Sequence, residues 1–197
     1  MDFKQIKIIE RKVKYPRLEL KIGTPVLILP RGSGFNPTAI IEKHQNWIKQ
    51  KLEFIEKIKN KYRNQRIYLR SENDLRRLII RFINEYSIIL RKKPNEIKFR
   101  YMKTRWGSCS KHGRLSFNLM MKYLNLTLIR YIVFHELTHL VIPNHKKDFW
   151  LYIEKEYKDH NQYEEKLFSY WFSLNSQQKV EELIEPRTNY FVILRGR

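Results

Sequence analysis

Three of the chain's six histidines fall within eleven residues, "HELTHLVIPNH" at 135–145. His135 and His139 are four apart, so on a helix they lie one turn apart on the same face. Two imidazole nitrogens at that spacing can converge on one tetrahedral ion at about 2.0–2.1 Å. Glu136 projects to the side, where its carboxylate can reach a water on the ion without ligating it. An unbroken helix would carry His145 about 15 Å further along the axis, out of reach. Pro143 disfavours helical geometry at Ile142 and lacks an N–H, and Asn144 tolerates a left-handed turn. The helix is therefore expected to stop near Ile142 and the chain to turn back, presenting His145 as a third ligand. Three imidazoles leave a fourth position for water, as catalytic Zn2+ sites do and closed structural sites do not. The surrounding "YIVFHELTHLVI" is strongly apolar, and a carboxylate buried there without a partner would be costly. A metal and its water give Glu136 that partner.

The elements that must position these residues read as follows. Residues 5–30 alternate apolar and polar positions, with turn signals at Tyr15-Pro16 and Ile22-Gly23, and predict two or three antiparallel strands. Asn36 and Pro37 mark a helix start, and helical spacing continues to about residue 60. Ser71 caps a strongly amphipathic helix over 71–92, with Asp74 at N3 and an apolar face of Leu75, Leu78, Ile79, Phe82, Ile83, Tyr86, Ile89 and Leu90. Residues 95–121 read as one hairpin, with Ile97, Phe99 and Tyr101 alternating outward, "SKHGR" turning, and Leu115, Phe117 and Leu119 returning. Helices are expected at about 127–141, carrying the motif, at 146–158 and at 162–175, with a strand at 190–194. The expected class is α+β: N-terminal antiparallel strands, a small sheet packed on helices, and the metal site on a central helix. Residues 1–160 are taken as one domain and 161–197 as a C-terminal extension packed on it.

Composition sets the context. The single cysteine, Cys109, excludes an internal disulfide framework and a Cys-based zinc site, and fits a reducing, cytoplasmic setting. No apolar run approaches the ~20 residues of a spanning helix, and "MDFKQIKIIE" lacks the apolar region of a secretory signal, so no membrane partner is expected. The net charge of +20 is unevenly placed: residues 1–106 carry 27 Lys and Arg against 10 Asp and Glu, and the half with the histidines is nearly neutral. A basic N-terminal half offers salt-sensitive attraction to phosphates, which makes nucleic acid a candidate partner through that half; the alternative is the codon bias of an AT-rich genome, which would raise Lys without a partner.

"RWGSC" at 105–109, "GRLSFN" at 113–118, "HELTHL" at 135–140 and "NHKKDFW" at 144–150 resemble the YgjP-type metal-dependent hydrolases. These are minimal zincins related to the SprT-like and WLM-type metalloproteases. The resemblance implies zinc on His135, His139 and His145, with Glu136 as catalytic acid and base. The third histidine also has the spacing of metzincins, but Ile142 stands where their glycine would be and no Met-turn is evident. Zincins hold an extended peptide on an edge strand beside the metal, which makes Leu115, Ser116 and Phe117 the candidate substrate-binding strand, the alternative being an ordinary hairpin strand that touches no substrate. Arg105 is a candidate to polarise a substrate carbonyl or support a ligand loop, with a structural ion pair as the alternative. Asp148 is a candidate to hydrogen-bond a ligand histidine, though a carboxylate at a helix N-terminus looks the same in sequence. Trp106, Gly107 and Ser108 are expected to shape a hairpin end. Cys109 reads as a small buried hydrophobe. The expected activity is peptide-bond hydrolysis of a peptide or protein substrate. Two rival readings are a basic nucleic-acid-binding module with a structural or vestigial zinc site, and a metal hydrolase of a non-peptide bond. The oligomeric state is left open.

Overall fold

A computed structural model of the chain describes residues 6–21 and 24–176, and the expected strand at 190–194 lies outside them. The chain divides by its internal contacts into two units, one holding residues up to Arg63 together with those from Trp171 on, the other Asn64–Tyr170.

The first unit is built on strand β3 (Thr24–Pro30), flanked by β1 (Lys7–Arg11) and β2 (Arg17–Lys21). Val26, Leu27, Ile28 and Leu29 are all buried, so β3 is covered on both faces, as its unbroken apolar run requires. β2 pairs with β3 antiparallel, but β1 pairs with it in parallel, which corrects the expected all-antiparallel arrangement. Alternation fixes which side chains share a face and carries no strand direction. Asn36 caps helix α1 (Pro37–Lys43), its Oδ1 accepting from the amides of Thr38 and Ala39. The expected helix to residue 60 is two helices. The chain leaves helical geometry at His44 (φ −108°, ψ 10°), and α2 runs over Gln45–Lys61. Ile41 and Ile48 from these helices pack with Leu27 and Leu29.

The second unit holds the motif. Helix α3 (Glu72–Leu90) starts at Ser71, whose Oγ accepts from the Asp74 amide and donates to the Asp74 carboxylate. Leu75, Ile79, Phe82, Ile83, Tyr86 and Leu90 are buried, but Ile89 is 59% exposed: four residues after Tyr86, Leu90 takes the core-facing position and Ile89 falls beside it. The expected single hairpin is a three-stranded sheet in the order β4-β6-β5, with β4 Glu96–Arg100, β5 Gly107–Cys109 and β6 Arg114–Asn118. Only β5 and β6 form a hairpin, closed by the Gly113 amide donating to the Ser110 carbonyl, with Gly113 at φ 70°. β4 lies parallel to β6 on its other side.

Asn118 ends β6 and is fully buried. Its Nδ2 donates to the carbonyls of Met102 and Arg105, and its Oδ1 accepts from the Met120 amide. A short 3-10 helix, Leu119–Tyr123, leads to α4 (Leu126–Thr138), capped by Asn125. Nearly every residue of α4 from Leu128 onward is buried, so this is a core helix rather than an amphipathic one. Helices α5 (Lys147–Glu156) and α6 (His160–Ser176) follow. Among the described residues, no helix is long and apolar enough to cross a membrane.

Candidate metal centre

Helix α4 ends at Thr138, four residues before the stop expected at Ile142, so His135 sits in its last turn and His139 at its C-cap. The chain then turns through hydrogen bonds from the Leu140 amide to the Leu137 carbonyl and from the Val141 and Ile142 amides to the Thr138 carbonyl. Pro143 follows that turn rather than causing it. His145 lies in the loop before α5. The reversal brings His145 Nε2 to 3.0 Å from both His135 Nε2 and His139 Nε2. Ligands about 2.0–2.1 Å from one tetrahedral ion are about 3.3 Å apart. The two separations to His145 are close to that spacing, and all three ligand atoms lie within 4.8 Å of one another.

The donor chemistry fits as well. His139 Nδ1 lies 3.1 Å from the Ile142 carbonyl, a pure acceptor, so Nδ1 carries the proton and Nε2 keeps its lone pair for the site. Burial, with its neighbours His139, His145 and His160 adding to it, pushes the His135 pKa well down, and burial lowers that of His139. Both therefore stay neutral, the form that ligates. Among the described residues these three histidines are the one His, Cys, Asp or Glu group whose ligand atoms gather closely enough for a metal. Asp148, expected to support a ligand, is exposed in the first turn of α5, and the partner of His139 Nδ1 is instead a backbone carbonyl.

Glu136 is 8% exposed, and burial pushes its carboxyl pKa up to about 8, with Arg105 opposing and Glu164 reinforcing. Arg105 is exposed, on a loop that Asn118 pins by its carbonyl. Its charge reaches Glu136, which puts this predicted residue at the site's rim. Cys109 is partly buried, and its thiol is raised to about 11 by burial and by Glu136, so it remains protonated.

The substrate strand requires correction. β6 is the central strand, bonded on both sides, with Leu115 and Phe117 at 0% and Ser116 at 4% exposure. It has neither a free edge nor an accessible face, and these three residues belong to the core. The outer strand on the motif side is β5. A Cβ placed on Gly107 would lie 2.5 Å from Glu136 Cγ and 2.6 Å from Oε1, so the Glu136 side chain lies directly on the β5 backbone. A lone glycine inside a strand is the one sequence signal for such an approach, and it looks the same as a glycine that shapes a turn. Phe149 and Trp150, which helical spacing marks only as part of a helix, both touch the ligands.

Residues 60–170, more than half of the chain, match the family described as "YgjP-like, metallopeptidase domain". The chain belongs to the YgjP-like metallopeptidase family. It is accordingly a hydrolase with a metallopeptidase-like, three-histidine centre on an α+β fold. Two solved structures are similar in sequence at 25% identity. The metallopeptidase zymogen jannalysin of Methanocaldococcus jannaschii matches over 54% of this chain and 90% of its own, with a TM-score of 0.40. The metallopeptidase zymogen abylysin of Pyrococcus abyssi matches over 39% of this chain and 77% of its own, with a TM-score of 0.36. No curated protein matches the chain in sequence.

Proposed function

We propose that the chain is a zinc-dependent peptidase in which His135, His139 and His145 hold the ion and Glu136 moves the proton. The convergence of three imidazoles carries this reading, with His145 Nε2 3.0 Å from the Nε2 atoms of both His135 and His139 and all three ligand atoms within 4.8 Å of one another. When bound, zinc supplies Lewis-acid polarisation of the scissile carbonyl and acidifies a water toward a pKa near ~7. Glu136, held off the bulk solvent on the β5 backbone, takes the water proton on a carboxylate oxygen and returns it to the leaving amine nitrogen. An extended peptide is bound along the outer edge of β5, whose only strand partner among the described residues is β6. Arg105, at the rim, contacts the substrate. Exposed lysines on α2, including Lys49, Lys57, Lys59 and Lys61, support a second part of the proposal, that the first unit attracts nucleic acid. Undetectable binding to DNA or RNA at ~50 mM salt refutes that part alone.

The test combines metal content with proteolysis. The parent and Glu136→Gln should each hold about one zinc per chain, and only the parent should cleave a peptide library. At zinc 100-fold above Kd, chelation should remove about 2.7 kcal/mol of stability. A parent that takes up no zinc overturns the metal site. A Glu136→Gln variant as active as the parent overturns the role of Glu136.

A further inference from the structure

His135 raises a question that its motif does not answer. Metal-binding histidines usually donate their second ring nitrogen to an acceptor, which fixes the ring. His139 does so, through Nδ1 to the Ile142 carbonyl. His135 Nδ1 is buried with no hydrogen-bond partner among the described residues, so something else must orient this ring. His145 poses the complementary problem: it is exposed and sits outside any regular element, where loop freedom would scatter its Nε2.

The two rings at the start of α5 answer both. Phe149 is fully buried, with its centroid 4.9 Å from His135, 4.5 Å from His139 and 4.7 Å from His145. It lies stacked under His139 (20°) and meets the other two close to edge-on (69° and 75°), so one phenyl ring touches all three imidazoles. Trp150 stacks on His145 at 5.6 Å and 25°, and its Nε1 donates to the His145 carbonyl at 3.1 Å. Trp150 also stacks with buried His160, at 4.6 Å and 21°. The indole is thus stacked with both His145 and His160 and tied by its Nε1 to the ligand's own backbone.

We propose that Phe149 and Trp150 are the positioning residues of the metal site, with ring packing setting the orientation of His135 and the Trp150 clamp holding His145 in place. The inference rests on the three-histidine reading above and names what makes that site fit for a cation before one arrives. Trp150 acts through His145 and touches no substrate. Its effect should therefore appear in metal affinity and in coordination, and should vanish once His145 is gone.

The experiment measures zinc Kd by competition with a chromophoric chelator, and the visible spectrum of the Co2+-loaded protein, for the parent, Trp150→Phe, Trp150→Ala and His145→Ala. It adds the double variants in the His145→Ala background. Trp150→Phe keeps a ring and loses the hydrogen bond, and should weaken zinc about 10-fold; Trp150→Ala loses both and should weaken it about 100-fold. The intense Co2+ bands of a tetrahedral site should fade in Trp150→Ala toward those of His145→Ala. In the His145→Ala background neither Trp150 change should weaken zinc further. Unchanged affinity in both single variants overturns the proposal, as does an equal loss with and without His145, which would mark general destabilisation. If Trp150→Ala does not fold, Trp150→Phe alone decides by the same two criteria. Failure of the parent to bind zinc would instead overturn the site itself, a result that these comparisons keep separate.

Discussion

Replacing Gly107 with alanine tests whether Glu136 is placed by the edge strand. The added methyl carbon would lie 2.5 Å from Glu136 Cγ, 2.6 Å from Oε1 and 2.8 Å from Cδ, where ordinary contact begins at 3.4 Å. Something must move by about 1 Å, and the choices are few. The α4 backbone is packed nearly all round, and β5 is held to β6 in antiparallel register. Either the Glu136 carboxylate swings away or the short strand peels back, and both spoil the line from carboxylate to water to carbonyl. A 1 Å misplacement of this kind costs on the order of 10²-fold in rate, and overpacking costs about 1–3 kcal/mol of stability. The three atoms nearest the new methyl all belong to Glu136, so zinc affinity should hold.

Three measurements on Gly107→Ala then check the reasoning: kcat on a cleaved peptide, zinc per chain, and thermal unfolding. The expected pattern is kcat down about 10²-fold with one zinc retained. The stability cost should shrink when Glu136→Ala is added, because the clash then has no second partner. A variant with kcat within about 3-fold of the parent would refute the contact's role in positioning, since that is well below the loss expected from a 1 Å shift. A stability loss independent of residue 136 would show that the methyl strains the strand rather than the glutamate.

Two further outcomes are expected. Burial raises the Glu164 pKa above its ordinary 4.5, only partly offset by the hydrogen bond from the Tyr131 hydroxyl, so the folded protein keeps this proton to higher pH than the unfolded chain does. The linked stability is complete below about 4.5 and drains as pH rises through the folded value. Glu164→Gln still accepts from Tyr131, so its gain in Tm over the parent, both metal-free, should be smallest at pH 4 and widen toward neutrality; a constant offset refutes this. Phe117→Leu should cost under about 1.5 kcal/mol by chemical denaturation and leave KM unchanged, because Phe117 is core. A raised KM would return β6 to the substrate.

What was legible in the sequence was local. The ligands lie within eleven residues, and their spacing, together with a turn before His145, is enough to bring three nitrogens together. The caps at Asn36 and Ser71 were readable for the same reason, since a cap is a contact over two or three residues. Strand order was not. Ile97-Phe99 and Leu115-Phe117 alternate alike whether their strands run parallel or antiparallel, and β5, only three residues long, has no periodicity to read. The candidate substrate strand meets the same limit: β6 is flanked by β4 and β5, and alternation alone does not distinguish a central strand from an edge. The pairing of Gly107 with Glu136 joins residues 29 apart in sequence, and the glycine takes part by lacking a side chain.

The early end of α4 has an electrostatic consequence of its own. A helix gathers partial negative charge at its C-terminus, where the last carbonyls lack intrahelical partners. Had the helix run on to Ile142, as Pro143 suggested, His135 and His139 would have projected from its side, with that end a turn further away. Because α4 stops at Thr138, the ligand pair sits at the terminus itself, His135 in the last turn and His139 at the cap. A cation held by these Nε2 atoms would feel the negative end of the dipole, an interaction worth roughly 0.3–1 kcal/mol when exposed and up to about 2 when partly buried. The turn that follows serves the ligands twice. It supplies the Ile142 carbonyl that orients His139, and it reverses the chain so that His145 faces the pair. Pro143 is then best understood as holding an exit that the backbone bonds of Leu140, Val141 and Ile142 have already made.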